Sequence, residues 1–127
     1  MSWVTDKAAI VSNLEGLGYS EVPRGQDVEE LETFNHKCFT VRFSGVNTNE
    51  ITSRGYIHER KAVINVVYVN KKNADYDANA DLFIALIAEL KTLAVLVEIE
   101  SADFALSETT KLKSIGTIEI IYGVRSC

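Results

Sequence analysis

The sequence predicts an α+β fold with a largely antiparallel or mixed sheet of about four to five strands and two main helices on one face. Two segments repeat apolar residues at helical spacing, and several shorter segments alternate apolar and polar residues as strands do. These elements follow the order helix, strand, strand, helix, strand, strand. The length of 127 residues suits a single α+β domain over residues 1–127.

The first predicted helix runs from about Trp3 to Leu17. Its expected buried row recurs every three or four residues and comprises Val4, Ala8, Val11, Leu14 and Leu17. Gly16 and Gly18 are expected to end the helix, because glycine accepts the left-handed backbone found at helix C-termini.

Two strands are predicted before the second helix. Cys38–Phe43 alternates, with Phe39, Val41 and Phe43 on one face, and the residues from Gly45 to Glu50 are expected to break it. Tyr56–Val69 is apolar on both faces apart from Asn65, which is typical of a central strand.

The second helix is expected to begin at a cap formed by Asp75 or Asp77 and to end near Lys91 or Leu93. Its apolar stripe comprises Leu82, Phe83, Leu86, Ile87, Leu90 and Leu93. The remaining predicted elements are a strand over Val95–Ser101, an apolar piece over Phe104–Leu106, a polar loop over Ser107–Lys113 and a strand over Thr117–Val124.

Charge and composition favour a protein that does not bind nucleic acid or membranes. The net charge is −5, and we therefore expect no direct sequence-specific nucleic acid binding. The densest basic residues, Arg54, Arg60 and Lys61, are interpreted as a solvated turn. No apolar run is long enough to span a bilayer, and no signal-peptide pattern is visible, so we expect the protein to work in a cytoplasm or in something assembled there.

The candidate groups for chemistry are few. His36 and Cys38 would share a strand face, but only His58 and Cys127 remain to complete a zinc site. The carboxylates between Asp27 and Glu32 lack the spacing and glycine of a calcium loop. We therefore predict that the protein is not an enzyme and uses no cofactor or metal, and nothing in the sequence asks for a disulfide.

The central strand raises the question of what covers its second face. Two helices on one side of the sheet would leave Val63, Val67 and Val69 on the other. A large exposed apolar patch usually marks an interface, so we expect a loop, the Phe104–Leu106 piece or another chain to cover part of it.

Three segments together carry a resemblance to a known family. They are Leu14–Tyr19 with Val22 and Pro23, the strand Ala62–Val69, and the turn Asp75–Asp77 leading into the apolar helix that ends near Leu90. In order and spacing they resemble the tail terminator, or tail completion, proteins of long-tailed bacteriophages, over nearly the whole chain.

The resemblance implies a homo-oligomeric ring, expected to be a hexamer, within the virion tail or neck after assembly in the host cytoplasm. The ring would cap the tail tube protein, stop its polymerisation and present a surface to the head-tail connector protein. The mobile segments expected to contact the tube are Gly45–Gly55 and Ser107–Lys113, with Arg24–Glu32 as a third. The candidate subunit or tube interface comprises Val63, Val67, Val69, Asn47, Asn49, Glu50, Arg54, Arg60, Lys111 and Lys113.

Two alternative functions stay open. The first is another neck or connector subunit of the same virion, which would bind portal rather than tail tube. The second is a small cytoplasmic enzyme or ligand-binding domain, which a deep pocket containing His36 or His58 would favour.

Overall fold

The computed structural model describes residues 3–22, 37–47, 59–72, 74–93, 96–106 and 112–122. The elements in chain order are α1 (Trp3–Gly16), β1 (Ser20–Glu21), β2 (Cys38–Asn47), β3 (Glu59–Val69), α2 (Asp75–Leu90), β4 (Leu96–Leu106) and β5 (Lys113–Tyr122). The predicted α+β class is confirmed.

The five described strands form one mixed sheet in the order β1-β2-β3-β5-β4. The two-residue strand β1 runs parallel to β2, and the other three neighbouring pairs are antiparallel. Because β3 and β4 are both antiparallel to β5, they run in the same direction with β5 between them. The unit β3–α2–β4 is therefore a split βαβ unit.

Both helices pack on the same face of the sheet, as predicted. One apolar cluster joins Ile10 and Leu14 of α1 to Phe83, Leu86 and Leu90 of α2. Its sheet residues are Phe39, Val41, Ala62, Ile64, Val66, Tyr68, Ile118, Ile120 and Tyr122. The predicted stripe of α2 is confirmed, because Leu82, Ile87 and Leu93 also pack against this cluster.

The buried face of α1 differs from the prediction. Val4 is 74% exposed, whereas Asp6, Ile10 and Leu14 are buried at a strict four-residue spacing. The predicted row was wrong at Val4 and Ala8, because a search for apolar residues passes over a position where the buried side chain is a carboxylate. The C-terminus follows the prediction, since Gly18 adopts a φ of 92° and the chain turns there.

Asp75 stabilises the start of α2 differently from the predicted side-chain cap. The residue at the N-cap position is Ala74, which makes no side-chain cap hydrogen bond. The Asp75 carboxylate instead accepts hydrogen bonds from the backbone N–H groups of Lys71 and Lys72, at 2.7 and 2.9 Å. The bond from Lys72, followed by that from Lys71, lowers the pKa of Asp75 below its ordinary value, and both bonds order the turn that precedes the helix.

Three strands are longer than predicted. β2 passes through a register shift between Phe43 and Gly45 and continues to Asn47. β4 runs without interruption to Leu106, so the separate apolar piece at Phe104 belongs to that strand. β5 begins at Lys113, four residues before the predicted start. Bulges and polar strand positions interrupt the alternation from which strand ends are predicted.

Gly116 lets α2 approach β5 closely. A Cβ atom at this position would overlap Cε1 of Phe83 and would lie within 2.9 Å of two further atoms of the same ring. Phe83 also packs against Phe104 of β4, with ring centroids 5.3 Å apart. The missing side chain at Gly116 therefore makes room for the aromatic ring that joins α2 to the last two strands.

Candidate interaction surface

The face of the sheet opposite the helices, called the outer face below, carries side chains in rows that cross β2, β3, β5 and β4. Because residues paired across antiparallel strands share a face, the register defines these rows. They are Arg42–Val63–Glu119–Ser101, Thr40–Asn65–Thr117–Asp103 and Cys38–Val67–Ile115–Ala105. The outer face is thus charged at one end, polar in the middle and apolar at the other end.

The apolar end of the outer face is covered by the chain itself. Val67 is 1% exposed and clusters with Val22, Cys38 and Ile115. Val22 follows β1, and its N–H donates to Phe39 O at 2.8 Å, which holds it over this row. Val67, which was a candidate for the subunit or tube interface, is therefore covered from within the subunit and not by another chain.

Val63 and Val69, the other two apolar candidates, are half-buried on the outer face. Val63 lies between the exposed charged residues Arg42 and Glu119, which are its neighbours in the register. Beside this row, Thr117 donates from Oγ1 to Asn65 Oδ1 at 3.1 Å. The part of the outer face around Val63 is therefore a mixed polar and apolar surface, not the apolar patch that the sequence predicted.

Arg60 lies on the helix face and not in a solvated turn. Its Nη2 is 3.1 Å from Oδ2 of the fully buried Asp6, and its guanidinium lies over the Tyr122 ring at 5.4 Å from the centroid. Trp3 also packs against Tyr122, with ring centroids 5.4 Å apart. The role expected for Arg60 as a surface cation facing the tube is corrected, because an ion pair beneath α1 occupies it.

The other predicted contact residues fall in three places. Lys113 is 8% exposed at the start of β5, so it is neither in a loop nor a surface cation. Asn47 is the last residue of β2. The candidates outside the described residues are Asn49, Glu50, Arg54 and Lys111, together with the segments 24–32, 48–55 and 107–111.

Two strand edges are open in the described part of the chain. β4 forms one border of the sheet over its whole length. At the other border, β1 pairs only with Cys38 and Phe39, which leaves the outer edge of β2 from Thr40 onwards without a described partner strand. Open edges present unpaired backbone N–H and C=O groups, which another strand can bind.

Charge is distributed unequally along these two edges. β4 carries the exposed carboxylates Glu98, Glu100 and Asp103, and of these only Glu100 has a described ion-pair partner, Lys61 at 3.5 Å. β2 carries the exposed Arg42, which has no ion-pair partner among the described residues. One border of the sheet is therefore acidic and the other carries a cation.

A buried polar cluster that the sequence did not reveal joins α2 to the ends of β3 and β5. Asn79 donates to Asn70 Oδ1 at 2.7 Å and to the Val69 carbonyl at 3.1 Å. Asn70 in turn donates to Ser114 Oγ at 2.7 Å. Asn70 and Ser114 lay outside the predicted strands. Only the position of Asn79, near the predicted apolar stripe of α2, signals its burial.

Large apolar side chains are also exposed outside the outer face. They are Val4, Phe43, Ile84, Leu106 and Leu112. Phe43 packs against Trp3, with ring centroids 5.6 Å apart, and remains 41% exposed near the open edge of β2. Leu106 ends β4, so exposed apolar residues lie close to both open edges.

The described residues contain no group of three His, Cys, Asp or Glu side chains able to hold a metal ion. Of the residues considered for metal binding, Cys38 is buried, and His36, His58 and Cys127 lie outside the described ranges. None of the described helices is both long and apolar enough to cross a membrane.

Comparison with known proteins adds no family assignment. No protein-family model matches the chain, and no curated protein sequence matches it either.

Proposed function

We propose that this chain is a structural virion subunit of the tail terminator type. Copies of it form a ring that caps the tail tube of a long-tailed bacteriophage, stops tube polymerisation and joins the tube to the head connector. The resemblance in the order and spacing of the N-terminal helix stop, the central strand and α2 supports this function.

One structural observation carries the proposal. α1 and α2 pack on the same side of the sheet, and within the described residues no helix covers the outer face. A subunit that must contact like copies and a tube end needs accessible surface, such as the part of the outer face around Val63, because each subunit of a closed ring uses two different surfaces to contact its neighbours.

The two open edges support assembly further. A ring made by heterologous contacts needs one contact surface at each end of the subunit. The open edges of β2 and β4 lie at opposite edges of the sheet and could supply these two surfaces. The ring would act by steric coverage, since a tube end bound by terminator subunits no longer exposes the surface to which the next tube subunits add.

Electron microscopy of the purified protein, alone and with polymerising tail tube protein, tests this function. We expect closed rings in the first sample and tubes that carry a ring at one end and stop growing in the second. Tubes that lengthen as fast as without the protein would contradict the terminator function. Binding to portal rings but not to tubes would identify another neck subunit instead.

A further inference from the structure

We propose that neighbouring copies join through their strand edges, with β4 of one copy pairing antiparallel with β2 of the next. This pairing rests on the self-association that the proposed function requires, and it names the surfaces involved. The partner at each edge is a second copy of this chain.

The strand directions allow this pairing. β2 is antiparallel to β3, β3 to β5, and β5 to β4, so β2 and β4 run in opposite directions within one sheet. When copies are related by rotation about an axis roughly along the strands, β4 of one copy meets β2 of the next in antiparallel orientation. The backbone groups of both open edges would then be satisfied by the same contact.

Charge selects a register for the contact. If Arg42 of one copy faces Asp103 of the next, two exposed charges of opposite sign meet on the outer face, and neither has an ion-pair partner among the residues that the structure describes. In the same register, Val41 faces Phe104 and the exposed Phe43 faces Ala102 on the helix face. Cross-strand pairs of both kinds, oppositely charged and apolar, stabilise antiparallel strands.

One half of β2 and one half of β4 are regular strands, and these halves are the best suited to pairing. β4 shifts register twice between Leu96 and Ser101 and is regular from Ala102 to Leu106. β2 is regular from Cys38 to Phe43 and shifts only after that. The segments 40–43 and 102–105 are therefore both regular strands, and β1 limits the contact at Phe39.

A different role is possible for the carboxylates on β4, because charged residues on an edge strand also protect it against pairing. The two roles make opposite predictions about Asp103. If Asp103 only protects the edge, its replacement by lysine leaves association unchanged or increases it, and Arg42 is irrelevant. If it pairs with Arg42, the same change weakens association in a way that a second change at Arg42 reverses.

Charge-reversal variants of the full chain decide between the two roles of Asp103. Their self-association is measured by sedimentation velocity over a range of concentrations. We expect Arg42→Glu and Asp103→Lys each to weaken self-association at least about tenfold, because each places like charges opposite one another. The double variant Arg42→Glu/Asp103→Lys should recover most of the wild-type association. The matched controls Lys91→Glu and Asp81→Lys reverse exposed charges outside the proposed contact and should leave it unchanged.

Circular dichroism and thermal unfolding of each variant check that the fold is retained. We expect that it is, because Arg42 and Asp103 are both exposed. Wild-type protein that stays monomeric at the highest concentration, or single variants that associate as the controls do, would overturn the proposed contact. Rings that form normally from the single variants would exclude this contact but leave the terminator function standing. If association depends on Arg42 and Asp103 but the protein has no effect on tube growth, the proposed contact would stand and the terminator function would be excluded.

Discussion

Asp6 of α1 and Arg60 of β3 form an ion pair in which the carboxylate is fully buried and the Arg60 side chain is 15% exposed, with 3.1 Å between Oδ2 and Nη2. Neither Asp6 oxygen accepts a well-aligned hydrogen bond in the described part of the chain, so the contact is mainly ionic. The pair connects the N-terminal helix to the central strand at the position where an apolar residue would be expected. Removing the Arg60 charge leaves the Asp6 carboxylate fully buried without this ionic contact.

The first prediction concerns this pair. Asp6→Asn should lower the free energy of unfolding by about 1–3 kcal/mol, because it removes the ionic contact with Arg60 and leaves an amide in a fully buried site. Asp81→Asn, which neutralises an exposed carboxylate on α2, should change it by less than about 0.5 kcal/mol. Urea unfolding at one fixed protein concentration measures both variants. An Asp6→Asn protein as stable as the control would show that the pair contributes nothing.

Replacing both partners provides a sharper test of the same contact. Asp6→Leu/Arg60→Met removes both charges and should be less destabilising than Asp6→Asn alone, because apolar side chains can occupy the site without desolvating a charge. If the double variant is destabilised by the sum of the losses measured for Asp6→Leu alone and Arg60→Met alone, the two side chains do not interact.

The second prediction concerns the close approach of Phe83 to Gly116. Gly116→Ala should destabilise the protein by about 1–3 kcal/mol, because the new Cβ overlaps the ring and forces α2 or the strand to move. Gly16→Ala is the matched control, since a Cβ there meets no atom within 4 Å, and it should be neutral or slightly stabilising. Thermal unfolding compares the two. Equal midpoints for both variants would contradict the packing described for β5.

The third prediction concerns the buried amide cluster at the start of α2. Asn79→Ala should cost about 1–3 kcal/mol, because it removes the hydrogen bond that Asn79 donates to the Asn70 side-chain oxygen in a buried site. Glu89→Ala, on the exposed side of the same helix, should cost little. Hydrogen exchange provides a second readout, since loss of the cluster should speed exchange in the first turns of α2 more than in its last turn. Uniform exchange in the variant would argue against a local role.

The fourth prediction follows from the buried phenols. Burial raises the pKa of Tyr19 and Tyr68, which share a 2.8 Å hydrogen bond, and it raises the pKa of Tyr122 to about 12. In the unfolded chain these groups return towards the ordinary value of 10.0. As pH rises above that value, the unfolded state releases phenolic protons first, so stability falls.

The slope of this decline should approach about 1.4 kcal/mol per pH unit for each phenol that stays protonated in the folded state. Urea unfolding between pH 9 and 12, roughly spanning the ordinary and raised values, measures it, and Tyr122→Phe should make the slope shallower. If phenolate absorbance shows all tyrosines ionising together at their ordinary pKa while the fold persists, the burial of these rings is contradicted.

Prediction from sequence succeeded where one physical signal dominates. The stripe of α2 and the apolar strand from Ala62 to Val69 are each set by the period of their large apolar residues, and both lie where expected. It failed where a polar residue takes a buried position. Asp6 is buried in line with Ile10 and Leu14, so the buried face of α1 differs from the predicted one. Lys113 was predicted to lie in a loop, although it is buried and begins β5.

The interaction surface was harder to predict than the fold. Whether Val67 is exposed depends on Val22 reaching over the outer face from a two-residue strand, which no local pattern signals. The side of the sheet on which Arg60 lies follows from the register of β3, in which it shares a face with Ala62 and Ile64. Open edges are a property of strand order, so β2 and β4 became candidates only once the topology was known.

Electron microscopy of the purified protein added to polymerising tail tubes tests the central claim most directly. The account predicts closed rings of identical subunits, with one ring at a single end of each tube and no further growth from that end. Isolated subunits in solution beside tubes that keep lengthening would contradict it.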